Sequence, residues 1–174
     1  EFFVTPRQNY LEGTSASLAK NKLQIAINGG GWDVSKPGSN TDTDLVTYSK
    51  GKLVSEGKDF WVSVTITQDN EIIMAKKPKE DIELYNVVTG FNLFVVNGEV
   101  NPRMYPGGPG YKEGYDTLDP RTSIGYNEEK NILNIILVDS GVVGQRLGLR
   151  LRDLGTIHVR EGSTTAINMD GGGS

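Results

Sequence analysis

Three times along this chain a short apolar run stops at an asparagine or aspartate and gives way to small polar residues and glycine. The segments are Ala26-Ile27-Asn28-Gly29-Gly30-Gly31-Trp32-Asp33, Val138-Asp139-Ser140-Gly141 and Ile167-Asn168-Met169-Asp170-Gly171-Gly172-Gly173-Ser174. Each reads as a buried strand running into a polar loop. With 22 glycines and recurrent short runs of valine, isoleucine and threonine, the chain favours many short strands over long helices.

The remaining elements follow from spacing. Gly13-Thr14-Ser15 predicts a cap for a short helix over residues 16–20. Residues 23–27 read as a strand into the first glycine loop. Residues 45–53 read as a strand with a turn at Ser49-Lys50-Gly51. Residues 61–67 (WVSVTIT) alternate with period two, which predicts a strand with one buried face. Gln68-Asp69-Asn70 is its turn, and residues 71–75 return as its hairpin partner. Asn97-Gly98 between apolar residues predicts a second hairpin within residues 87–100. Four prolines and four glycines make residues 101–120 a long loop, and loops of that length are usually functional or mobile. Residues 123–126 and 132–138 read as strands about the turn 127–130. The second (ILNIILV) is almost wholly apolar, which predicts a central strand buried on both faces. Leu147, Leu151 and Leu154 fall at helical spacing over residues 145–154, with Gly155 as the stop. Residues 164–169 form the last strand. The class is α+β: a strand-rich mixed β-sheet with a few short helices and catalytic loops at strand ends. It reads as a single domain over 1–174, with the native polypeptide expected to continue past Ser174.

Composition removes several functions. The net charge of −4 disfavours an electrostatic nucleic-acid binder. There are no cysteines and one histidine, so disulfides, thiolate-ligated metals and sites needing two histidines are excluded. No apolar stretch reaches the ~18 residues of a membrane-spanning helix.

The polar strand ends carry the candidate chemistry. Strand ends hold side chains rigidly. Adjacent glycines expose backbone N–H groups suited to phosphate oxygens. Asp119-Pro120-Arg121-Thr122-Ser123 adds an arginine, whose planar fork pairs bidentately with phosphate. Taken singly, each segment is most simply a turn. Arg121 alone is equally a surface ion pair, Asp139 a helix cap, and Trp32 either core or a sugar-stacking platform. His158 reads as a surface or strand residue rather than a catalyst. Phe60 and Trp61 read as core, and residues 76–81 as a solvated loop.

Taken together and in order, the segments change that weighing. INGGGWD, PRTSIG (120–125), LVDSG (137–141) and INMDGGGS (167–174) resemble the motifs of the phosphodiester glycosidases, over about residues 15–174. The last motif is the most distinctive. The early motif departs from the family pattern, with Gly31 and the single Trp32 where aromatics are usual. Residues 156–164 resemble an insertion, and the family pattern runs on into at least one further strand.

The resemblance implies hydrolysis at a sugar's anomeric carbon, with release of a phosphate monoester from a cell-wall or exopolysaccharide sugar phosphate. It implies catalytic roles for Arg121, Asp139 and Asp170. Asn28, Gly30, Trp32, Thr122, Asn168, Gly171, Gly172, Gly173 and Ser174 are the implied substrate-binding residues. No cofactor is required. Aspartate and asparagine oxygens at loop starts suit calcium, although no EF-hand spacing is present. The expected substrate is a glycosyl phosphodiester, and the expected setting is extracellular, at the envelope or on a virion, in a bacterial or phage context. A continuation of the chain or a partner chain is expected to complete the C-terminal side. Two other classes remain open: a non-catalytic module that binds sugar phosphates, and a structural part of an envelope or virion assembly.

Overall fold

The computed structural model describes residues 2, 4–5, 13–31, 45–56, 62–75, 82–139 and 147–170. They fall into two compact units, within residues 1–90 and 91–173. The strand-rich α+β class holds. The strands divide between two five-stranded sheets, and every described pairing between them is antiparallel. No helix among the described residues is long and apolar enough to cross a membrane. Phe60, Trp61 and residues 76–81 lie outside the described residues.

In the first unit, α1 (Thr14–Asn21) starts after Gly13, which offers no side-chain cap. It ends where Lys22 turns into the left-handed region at φ 54 and donates its N–H to the Ala19 carbonyl. The sheet comprises β1 (Thr47–Ser49), β2 (Lys52–Ser55), β3 (Val62–Ile66), β4 (Ile72–Ala75) and β5 (Asn86–Gly90), in the order β2-β1-β5-β3-β4. Lys50 and Gly51, at φ 49 and 76, form the β1–β2 turn. Positive φ at both positions matches the strands' twist.

Two expectations fail here. β3 is buried at all five positions rather than on one face, because its polar face is covered as well. The Ser63 hydroxyl is satisfied there by donating to the Ala75 carbonyl, at 3.4 Å. Residues 23–31 form no strand. The glycines of this segment instead pass against β5. A Cβ at Gly30 would run into the Thr89 carbonyl oxygen, and one at Gly29 would lie 3.2 Å from the Val88 Cγ2. Gly29 and Gly30 therefore mark a close backbone approach, and at Gly30 no residue with a Cβ would fit.

In the second unit the sheet comprises β6 (Asn92–Val96), β7 (Glu99–Val100), β8 (Arg121–Asn127), β9 (Ile132–Val138) and β10 (Thr165–Asn168). Their order is β7-β6-β10-β8-β9. Asn97 and Gly98, at φ 53 and 75, close the predicted hairpin. The long loop is ordered by two 3-10 turns, Pro102–Met104 and Glu113–Tyr115, whose Met104 and Tyr115 enter the core. That core joins Phe94, Val95, Met104, Tyr115, Leu151, Leu154 and Ala166.

β9 is an edge strand, not a central one, and its Ile135 and Leu137 are 38% and 62% exposed. An apolar run reports side-chain chemistry but not how many neighbours a strand has. The helix α2 spans Leu151–Arg160, later than the leucine spacing predicts. Before it, the Leu149 N–H donates to the Asp119 carbonyl and Gly148 lies hard against the same carbonyl at φ +144, so the chain is held extended up to Arg150. Gly155 is inside the helix and stops nothing. It faces β6 and β7 so closely that a Cβ would sit 3.1 Å from both Val100 methyls. Residues 156–160 complete α2, and residues 161–164 turn into β10.

Candidate functional site

Three strands of the second sheet end together. Arg121, the first residue of β8, pairs with Val138, the last of β9. On the other side Ser123 pairs with Asn168, the last residue of β10, and the Met169 N–H continues the ladder to the Thr122 carbonyl at 2.8 Å. Asp139 and Asp170 therefore leave β9 and β10 at the same sheet end at which Arg121 enters. Asp139 is exposed and Asp170 half-buried. Sequence motifs separated by up to 49 positions are brought to one place by strand register.

Arg121 is held on two sides. Its Nε–H donates to the Leu149 carbonyl at 3.2 Å. Its Nη2 donates to the Thr117 carbonyl at 3.1 Å and to the Asp119 Oδ2 at 3.3 Å. Burial pulls the guanidinium below its ordinary pKa, and the Asp119 carboxylate opposes that shift. The group stays a cation at any working pH. Thr122 and Asn168 are buried beside it in sequence register. The Asn168 amide donates to the Met169 carbonyl at 2.8 Å, while its Oδ1 is buried and meets no donor among the described residues. An unmet buried acceptor costs roughly 1–3 kcal/mol, so a ligand hydroxyl or water arriving there would gain that much.

Asn28 and Gly30 belong to the first unit, in the segment packed along β5. Trp32 and Gly171, Gly172, Gly173 and Ser174 lie outside the described residues. Among the described residues no group of three or more histidine, cysteine, aspartate or glutamate side chains is placed to hold a metal ion.

His158, expected at the surface or in a strand, is instead a fully buried helix residue. Its Nε2 lies 2.9 Å from the Ser123 Oγ and its Nδ1 3.1 Å from the Ser163 Oγ. The outer bonds fix the direction of the chain. The Ser123 hydroxyl donates to the Ile136 carbonyl at 3.1 Å, so it accepts from Nε2–H. Nδ1 is then the acceptor of the Ser163 hydroxyl, which itself accepts from the Asn134 amide at 2.9 Å. Burial drives the His158 pKa down to about 4, so the ring is neutral at pH 7. The edge of Phe94 adds an aromatic contact at 5.4 Å.

Ser123 and His158 have the spacing of a nucleophile and its base. Yet the serine proton is directed at a backbone carbonyl, and both side chains are sealed from solvent. The network is structural: it ties α2 to β8 and β9 directly behind the site. The one sequence signal for it was Gly125 inside a strand, since isolated strand glycines mark close approach. A Cβ there would collide with the His158 ring and the Ser163 hydroxyl. Gly125→Ala should therefore destabilise the fold by about 1–3 kcal/mol, the usual range for overpacking, read as a lowered urea midpoint with unchanged slope.

The sequence pattern of the family described as phosphodiester glycosidase matches residues 21–174. No curated protein matches. Among solved structures, the chain is similar to the zebrafish N-acetylglucosamine-1-phosphodiester alpha-N-acetylglucosaminidase catalytic domain auto-inhibited by its pro-peptide. That match has a TM-score of 0.64 and 22% identity, and it covers 84% of this chain and 50% of the other. A hypothetical protein from Synechocystis superposes with a TM-score of 0.66 at 10% identity, covering 98% of this chain and 50% of the other. Identities this low speak to the fold. The chain spans about half the length of these solved relatives.

Proposed function

Because the chain belongs to the phosphodiester glycosidase family, we propose that it hydrolyses the bond between a sugar's anomeric carbon and a phosphodiester. The observation that carries this reading is the meeting of Arg121, Asp139, Asn168 and Asp170 at one end of the second sheet.

In the proposed reaction the anomeric C–O bond breaks through an oxocarbenium-like transition state, and the electron pair leaves with the phosphate. Ordinary glycoside hydrolysis needs a carboxylic acid to protonate the leaving oxygen and a second carboxylate opposite it. Here the group that leaves is a phosphate monoester, a weak base with a second pKa of about 6, so the acid matters less and stabilising the charge that builds on its oxygens matters more. Arg121 supplies charge-assisted N–H donors to those oxygens. Asp170, with Asp139 as the alternative, is the carboxylate that activates water or attacks the sugar. The free Oδ1 of Asn168 accepts from a sugar hydroxyl or from the attacking water. Water adds to the anomeric carbon, giving the free sugar and a phosphate monoester. The natural substrate we propose is a cell-wall or exopolysaccharide sugar phosphate, met outside the cytoplasm.

The test is direct. The methyl diester of N-acetylglucosamine 1-phosphate, incubated with the chain, should yield free sugar and methyl phosphate in equal amounts. A folded preparation that releases no sugar from this diester or from UDP-N-acetylglucosamine would reject the reading.

A further inference from the structure

We infer that Asp119 is a specificity-determining residue: by pairing with Arg121 it makes the site accept a singly charged phosphodiester and turn away the doubly charged monoester. This rests on the hydrolase reading of the same site and adds a substrate and product preference to it.

The geometry begins with the guanidinium's five N–H donors. Nε is taken by the Leu149 carbonyl, and Nη2 by the Thr117 carbonyl and the Asp119 carboxylate. Nη1 alone meets no hydrogen-bonding partner among the described residues. Asp119 is itself fixed. Its Oδ2 accepts from the Thr117 hydroxyl, and its backbone carbonyl accepts from the Leu149 N–H in an isolated bridge between the two residues. The ion pair is unevenly covered, with Arg121 11% exposed and Asp119 39%. One cation is thus balanced by one carboxylate before any ligand arrives.

The reaction changes the charge of its phosphate. The diester carries one negative charge. The monoester product carries two above its second pKa of about 6. An unpaired arginine would attract the dianion more strongly than the monoanion, and the product would then outcompete the substrate. The Asp119 charge cancels that advantage. Nη1 remains to make the one charge-assisted contact a diester needs. Asp119 acts through Arg121 and is a positioning residue, not a catalytic one.

Asp119→Asn removes the charge but keeps an oxygen for Arg121 and Thr117. Inhibition by methyl phosphate at pH 8 should tighten about tenfold in this variant, with KM for the methyl diester moving less than about threefold. That tenfold corresponds to ~1.4 kcal/mol. In the variant, inhibition should also strengthen as pH rises through about 6, where methyl phosphate gains its second charge. The wild type should show little such rise, and Asp119→Glu should restore its profile. A merely structural role would move kcat or stability and leave the pH profile of inhibition flat. Equal changes for diester and monoester, or no change, would overturn the inference. If the chain proves not to hydrolyse the diester, titration with dimethyl phosphate and methyl phosphate, followed by NMR, still decides. A diester preference lost in Asp119→Asn sustains the inference while the hydrolase reading falls. No binding of either by the folded chain, or a preference unchanged in the variant, overturns it.

Discussion

Asp170→Asn is expected to lower turnover of a sugar-1-phosphodiester by at least a hundredfold, with almost no change in the unfolding midpoint. A positioned general base contributes about 10²–10⁴ in rate, and asparagine can neither take a proton nor attack carbon. The substitution is isosteric and Asp170 is half-buried after the last strand, so folding should tolerate it. The residue's place in the ladder is the reason to test it first. Met169 is still bonded to Thr122, so the next position lies alongside Arg121. Steady-state kinetics and a urea melt on the same preparation would check both halves. Activity surviving within about tenfold, a barrier change of ~1.4 kcal/mol, would remove Asp170 from the role and pass it to Asp139.

Acidification should cost the fold roughly 3 kcal/mol between pH 6.5 and 4 through His158 alone. The folded ring titrates at about 4 against its ordinary 6.5, because burial disfavours the imidazolium. The unfolded chain therefore takes up the proton first. Stability from this group is complete above pH 6.5, falls by ~1.4 kcal/mol per unit as pH drops, and levels off below 4. The chain has one histidine, so no second imidazole contributes to the slope. Urea midpoints at pH 7, 5.5 and 4.5 would measure the slope, and His158→Gln, which does not titrate, should flatten it. A slope that persists in that variant would place the titration on carboxylates instead.

Much of the fold was legible from local signals. Asn97-Gly98 announced its hairpin because positive φ at two successive positions favours those residues, and Ser49-Lys50-Gly51 marked the turn between β1 and β2. What sequence could not deliver was neighbourhood. The apolar run ILNIILV looks the same whether one strand or two flank it, so β9's place at the edge was hidden. Leu147, Leu151 and Leu154 share a helical period, but the bridge from Leu149 to Asp119 keeps the first of them out of the helix. Gly155 resembles a stop until the approach of Val100 is seen.

The candidate site divides in the same way. Its motifs, Arg121 in PRTSIG and Asp170 in INMDGGGS, stood out as sequence. Their meeting depends on β10 lying between β6 and β8, which no local pattern encodes. The buried histidine was the plainest omission. Its partners are Ser123, 35 positions away, and Ser163, which Asn134 of β9 holds in turn, and a lone histidine in a helix carries no motif.

The position of β10 also dictates when the second unit can assemble its described sheet. As the chain is synthesised, β6–β7 and β8–β9 emerge as two separate hairpins, and an isolated hairpin is marginal in water. Leu93 must wait for Ile167, 74 positions downstream, before its strand acquires a second neighbour. The final insertion is therefore a late, long-range event, the kind that slows folding and leaves apolar strand edges open meanwhile. A ribosome stalled short of residue 165 would hold a nascent chain with two unzipped hairpins, a natural client for a chaperone.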